Sequence, residues 1–391
     1  MMNQKELACF NLLKQYVEKE NFKGWDVYDG LNSKLFQSLP IIKNNRLAKL
    51  AWIQLFKRSP INLRKITFVP KGYNNKGLGL FLGGYCNLYK INPSEDNLQK
   101  IHFFCNELIK STSKEFSGSC WGYNFDWQAR AFFQPKYTPT VVASSFVANA
   151  ILDAYDIVKD EKLLKVARST GDFILKDLNR TYDDKGNFSF SYSPLDTSVV
   201  FNASLLGSKL LSRLFTYTGE HFLLEEAKKS VTFCCNHQQA NGAWAYGTYD
   251  FHYWIDNHHT AFNLECLYDY AKYSGDSSFE ENYQNGLSFY LNNFFEPDGK
   301  CKYYNNQTFP VDIHAPAQLT IFFCKSGLHK QHSELLQRVL NWTIDNMFNE
   351  KKGYFYYQKR KKISAKIPYM RWAQAWMFYA LTCLLLQNNE N

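Results

Sequence analysis

Six apolar stretches punctuate the chain, each opening on small or polar residues and running for about fifteen positions, the length of a common helix. They begin near Lys76, Val142, Asn202, His258, Asp312 and Tyr369, a recurrence of 54–66 residues. All but the last are followed by a second helical pattern with charged outward positions, such as Lys162, Lys165 and Arg168, then Glu225, Glu226, Lys228 and Lys229. The first set carries fewer charges; residues 142–150 have none. A helix covered on most sides is apolar nearly all round, whereas a surface helix keeps one polar face. Helix pairs repeating at this period predict a closed double ring, an all-α (α/α)6 toroid of six helical hairpins.

Second members of the pairs are expected at 94–109, 160–178, 220–236, 278–293 and 331–347. The first of these opens on Ser94-Glu95-Asp96 after Pro93, a good helix start. Between pairs lie glycine-aromatic stretches beginning at Gly186, Gly242, Gly299 and Gly353. Glycine followed by aromatics suggests short strands, so small β-hairpins are expected on one face of the ring, above a shared basin. The toroid is assigned to 44–391, its first helix at 45–57. Residues 1–43 form a helical entry segment whose Leu7, Phe10, Leu13 and Val17 share one face.

The stretch 372–386 is interrupted by Gln374 and shorter than the ~20 residues that cross a bilayer. It reads as a buried inner helix, and no membrane span is expected. The N-terminus lacks the apolar core of a secretory leader. Ten cysteines, several inside helical patterns and none in a CxxC pair, suit a reducing interior, so a cytoplasmic location is expected.

Two features of composition change the picture. Aromatic residues make up 17% of the chain, and those beyond what a helical core needs cluster in the junctions, where flat rings can stack on sugars. Net charge is +9, partly from Lys359-Arg360-Lys361-Lys362 just before the last inner helix, a placement that can draw in an acidic substrate. No GxGxxG, GxxxxGK[ST] or GxSxG motif occurs, so nucleotide binding, a nucleic-acid partner and serine hydrolysis are without support.

The junctions also hold the candidate chemistry. Trp121, Tyr123, Asp126, Trp127 and Arg130 precede the second inner helix, and Asp196 the third. Trp244, Tyr246, Trp254, Asp256, His258 and His259 lead into the fourth, Asp312 and His314 open the fifth, and Arg371 and Trp372 the sixth. Asp256 and Asp312 can serve merely as helix caps. Yet acid, imidazole and guanidinium recur at a similar phase of several repeats, and a ring would gather them. The carboxylates Asp126, Asp196, Asp256 and Asp312 and the imidazoles His258, His259 and His314 are therefore candidate general acids and bases. Arg130 and Arg371 could clamp a carboxylate, and Trp121, Tyr123, Trp127, Trp244, Tyr246, Trp254 and Trp372 could bind sugar faces. Asp256-x-His258-His259 with Asp312-x-His314 has the residue types of a zinc site, but the spacing fits no dedicated motif, and no metal or other cofactor is expected.

With its hairpin period, aromatic junctions and the runs Trp25-Asp26-Val27-Tyr28-Asp29-Gly30-Leu31-Asn32-Ser33 and Trp121-Gly122-Tyr123-Asn124, the chain resembles the six-hairpin glycosidase superfamily over about residues 44–387. That superfamily includes unsaturated glucuronyl hydrolases, N-acylglucosamine 2-epimerases and proteins of bacterial exopolysaccharide and capsule clusters. The resemblance implies a carbohydrate in the basin, an oligosaccharide or polysaccharide with an acidic sugar such as a uronate. It leaves three activities open. Cleavage of a glycosidic bond by carboxylates, with Asp126 and Asp196 nearest by repeat position, is put first. Epimerisation or isomerisation by paired histidines, His259 and His314, is the second, and noncatalytic glycan binding in polysaccharide biosynthesis the third. A terpenoid or peptide cyclase finds no DxDD run, and Cys234-Cys235 with His237 reads as buried thiols at a helix end and makes no convincing Cys-Cys-His zinc set.

Overall fold

In the computed structural model, which describes residues 2–130 and 132–389, six inner helices form a continuous circle. They span Asn75–Ile91, Val141–Val158, Phe201–Thr218, Asn257–Ser274, His314–Ser326 and Trp376–Asn389, the last entered through a π-helical turn, Met370–Ala375. Each packs on the next, and the last returns to the first. The expected all-α toroid is thus the observed architecture.

Five outer helices, Glu95–Lys110, Glu161–Asp177, His221–Asn236, Glu280–Asn293 and Ser333–Met347, back the first five inner ones. Their starts follow the expected capping chemistry: Ser94 accepts from the Asn97 N–H and Asp160 from that of Lys162. Burial of the inner faces joins Leu82, Ile151, Leu210, Leu264, Phe322 and Met377 in one apolar core. At roughly 25 cal/mol per Å² of apolar surface, this burial is the main drive for closing the ring.

The sixth outer position is filled from the far end of the chain. Helix Gln4–Lys19, opened by a capping box between Asn3 and Glu6, lays Cys9, Phe10, Leu13 and Val17 into the main core. The glycines make the equivalence explicit. Gly242, Gly299 and Gly353 all have positive φ, and a Cβ on them would overlap the carbonyls of Asn285, Arg338 and Leu12 respectively. Each junction turn thus presses bare backbone on the outer helix of the following pair, and for the closing pair that helix is Gln4–Lys19. The entry segment's helix therefore closes the ring.

The junctions are less regular than expected. Arg180–Tyr182 pairs with Phe188–Phe190, and Phe348–Asn349 with Tyr354–Phe355. Around Gly299 only the isolated bridge of Phe295 with Cys301 forms, and around Gly242 no strand pair is found among the described residues. Trp127–Gln128 pairs with Phe133–Gln134, and Val311–Asp312 joins Gln358–Lys359 and Ser364–Ala365 in a three-stranded sheet. Among the described residues one helix, Val141–Val158, is long and apolar enough to cross a membrane; it packs between its two inner neighbours.

Candidate functional site

The inner-helix entrances surround a cavity of about 490 Å³. Asp256, the N-cap of the fourth inner helix, anchors its wall by accepting from the His259 N–H at 3.0 Å. The same carboxylate holds His259 Nδ1 at 2.8 and 2.9 Å. Burial pushes the Asp256 carboxyl up, but the His258 and His259 rings more than offset this, and it lies below its ordinary value. An ionised Asp256 only accepts, so His259 Nδ1 carries the ring proton and Nε2 is left basic.

His258 and His314 stand beside this dyad as a stacked pair, their rings 4.6 Å apart and tilted by 19°. His314 is 2% exposed, and neither of its ring nitrogens has a hydrogen-bond partner. Trp376 at 4.2 Å and Trp372 at 4.9 Å enclose it. Burial, then the neighbouring imidazoles and the Lys76 and Arg371 charges, hold the His314 pKa well below the usual value; burial likewise brings His258 to about 3 despite the Asp256 charge. Both rings are neutral at physiological pH. Leaving buried nitrogens unbonded costs about 1–3 kcal/mol each, so both nitrogens of His314 retain their capacity to bond a group that enters the cavity.

Lys76, which sequence reasoning missed as a site residue, lies across the cavity floor. Its ammonium sits over the rings of Phe146 at 4.2 Å, Trp376 at 5.0 Å and Phe262 at 5.5 Å. Among the described residues it has no ion-pair partner. Burial and the Arg371 charge drive its pKa well below the usual lysine value. A lone lysine among the glycines of a first inner helix, Lys76-Gly77-Leu78-Gly79, was the available clue.

Arg371 and Trp372 come from the π-helical turn, whose wider pitch recurs at functional sites. Arg371 grips Asp26 through two hydrogen bonds of 2.6 and 2.7 Å, so the expected carboxylate clamp is already closed on a neighbour. It still faces the cavity and lies over Tyr123 at 5.1 Å. Trp372 donates to Asp312, which also accepts from the His314 N–H and Gln358. Burial raises the Asp312 carboxyl and these hydrogen bonds oppose it. Asp312 thus positions His314 and Trp372 from behind.

Other expected residues divide by location. Tyr246 and Trp254 stack at 4.2 Å and, with Tyr123, Trp127, Arg130 and Trp372, face the cavity. Trp121 and Trp244 do not: both are core residues whose indoles donate to the carbonyls of Leu108 and Cys234. Nor are the two favoured acids assembled. Asp126 lines a separate surface hollow and accepts from the Lys136 N–H, and Asp196 is saturated by the backbone and hydroxyls of Ser193 and Ser198. Ser-x-x-Asp-x-Ser is a self-satisfying turn, a reading the sequence allowed and the repeat phase obscured.

Asp256, His258 and His259 present ligand atoms within 4.8 Å of one another, the spacing of a metal cluster. The Asp256–His259 hydrogen bond already ties up two of those atoms, and the Lys76 and Lys57 charges that act on His258 oppose a cation.

No family model and no curated protein sequence matches the chain. Solved structures do. It is similar to cellobiose 2-epimerase from Bacillus thermoamylovorans B4167 at 12% identity and TM-score 0.63, over 83% of this chain and 90% of that one. An unsaturated glucuronyl hydrolase specific for heparin matches at 12% identity and TM-score 0.59, over 80% and 85%. A D-mannose isomerase matches at 13% and 0.56, over 80% and 87%. The chain has the (α/α)6 toroid fold that these six-hairpin glycosidase superfamily members share.

Proposed function

We propose that the chain is a sugar epimerase or isomerase that moves a proton at a carbon beside a carbonyl, and that its substrate carries an acidic sugar. The observation that carries this reading is His314, a neutral, buried imidazole with both nitrogens unbonded at the cavity wall. His259, held in one tautomer by Asp256, takes the carbon-bound proton on Nε2. The C–H electrons pass into a carbon–carbon double bond and the carbonyl oxygen gains the charge. Lys76, made a stronger acid by its surroundings, supplies positive charge or a proton to that oxygen. For isomerisation, protonated His259 returns the proton to the adjacent carbon while neutral His314 gives its N–H proton to one oxygen and takes the hydroxyl proton from the other. For epimerisation, His314, protonated once the anionic sugar binds, delivers its proton to the opposite face of the same carbon, and His259 keeps the one removed until it exchanges with water.

Cleavage by paired carboxylates has less support. It needs two carboxyl groups flanking the bond, and Asp256, ionised and bonded to His259, is the one described carboxylate facing the cavity. The anionic substrate follows from charge: Lys57, Arg58, Lys76, Arg130 and Arg371 also face it. An incoming carboxylate would raise the depressed His258 and His314 basicity, coupling binding to activation. The ten cysteines are free and buried, which suits the cytoplasm as the proposed location.

Incubation with uronate-containing sugars in deuterated water tests the reaction. Carbon-bound deuterium without cleavage is expected. New reducing ends without deuterium would make the protein a hydrolase, and binding with neither product would make it a glycan-binding protein.

A further inference from the structure

From Gly30 to Ser94 the chain contains no Asp or Glu, although Lys34, Arg46, Arg58, Lys65 and Lys71 are exposed there. The same stretch exposes large apolar side chains: Ile41 (85%), Leu47 (74%), Ile66 (67%), Ile61 (65%), Phe68 (65%) and Leu55 (53%). These are not the faces of ordinary outer helices, which turn charges of both signs to solvent. Helix Arg46–Arg58 buries Ile53 and Phe56 and turns Leu47, Ala51 and Leu55 outward, an apolar stripe at helical spacing. Its Leu50, Gln54 and Lys57 border the cavity. A second basic element joins it: Arg360 donates to the Arg58 carbonyl at 2.7 Å, which brings the exposed turn Lys361-Lys362-Ile363 alongside. The run whose charge suggested substrate attraction is thus part of a larger basic and apolar rim.

We propose that this rim docks on an anionic lipid bilayer surface and holds the cavity mouth towards the headgroups. Leucine and isoleucine side chains on short surface helices enter the interface, and lysines and arginines beside them are drawn to anionic headgroups; either alone binds weakly, both together bind stably. A protein partner fits less well. Protein interfaces gather apolar groups in a core depleted of lysine, whereas here cations alternate with Ile and Leu on short helices separated by Pro40, Pro60 and Pro70.

The test is cosedimentation of the full chain with phosphatidylcholine vesicles, with and without phosphatidylglycerol. Binding to the anionic vesicles alone, weakened by salt, is expected. Leu47→Asp with Leu55→Asp, and separately Lys361→Glu with Lys362→Glu, should each reduce partitioning roughly ten-fold or more, with thermal unfolding unchanged in both and turnover of a soluble sugar unchanged in the leucine pair. Equal binding to neutral vesicles, no binding to either, or partitioning untouched by both variants would overturn the proposal. So would a concentration-dependent dimer dissolved by the leucine substitutions, which would make the rim a self-association surface. Vesicle binding needs no turnover, so this result stands or falls apart from the proposed reaction.

Discussion

The two ends of the inner ring treat buried charge in opposite ways. At the far end, a second cavity of about 350 Å³ lies among the C-terminal halves of the inner helices. There Lys209 pairs with Glu265 and Asp269 at 2.6 Å each, Lys325 with Glu265 at 2.9 Å, and Arg213 with Asp153 at 2.7 Å. Gln318 donates to the remaining Glu265 oxygen. At the entrance end, Lys76 rests on ring faces and His314 has no hydrogen-bond partner. One end pairs its buried charges in a polar plug, in which Gln318 Oε1 is left without a partner. The other pairs Arg371 with Asp26 and Asp256 with His259 but leaves Lys76 and His314 desolvated and unpaired, the arrangement expected where a ligand completes the bonding.

That contrast can be broken from either side. The largest expected effect is on turnover: His314→Leu should lower the proton-exchange rate by about 10²–10⁴-fold, measured by deuterium wash-in, while the melting temperature stays level or rises because an unbonded buried polar group is removed. Next, Glu265→Leu leaves Lys209 and Lys325 without their shared partner and should cost about 3–5 kcal/mol in denaturant unfolding. Equal stability losses at both ends would erase the distinction.

A pH dependence sharpens it further. His258 is neutral when folded, at about 3 against an ordinary 6.5, so the unfolded chain binds the extra proton between those values. Its contribution is present above about pH 6.5 and is lost as pH falls towards 3, at up to ~1.4 kcal/mol per pH unit. Unfolding curves of His258→Asn should be flatter over this window. The smallest effect belongs to the aromatic wall. Trp254→Ala should raise KM several-fold, about 1 kcal/mol, with kcat unchanged, as expected for binding shared by ground and transition states.

Much of the ring was readable because its cause is periodic. The alternation of nearly uncharged and half-charged helices reports which ones are covered on both sides, and the inner circle follows it. What escaped was the closing partner. Helix Gln4–Lys19 has the amphipathic face of an outer helix, but its place beside Trp376–Asn389 depends on a chain-end contact that no local pattern encodes. The site was half readable for a related reason. Repeat phase brought out Asp256, His259 and His314, since helix entrances do converge. The same phase suggested Asp196, whose local turn consumes its oxygens, and Asp126, which accepts from the Lys136 N–H beside a separate surface hollow. Arg371 was found as a cavity residue, but its partner Asp26 lies in a loop outside the repeat, so the pair was invisible. Lys76 was passed over because a cation entering an apolar helix looked like an ordinary helix start, and the rings that receive it come from three other inner helices.

The central claim is that His258 and His314 are held neutral, His314 with both ring nitrogens unbonded, until an anionic sugar arrives. Nitrogen-15 NMR of the histidine rings, titrated with and without a uronate ligand, addresses it directly. His258 and His314 should stay neutral well below pH 6 in the free protein and shift towards ordinary basicity when the ligand binds. Titration near 6.5 in the free protein, with no response to ligand, would contradict the account.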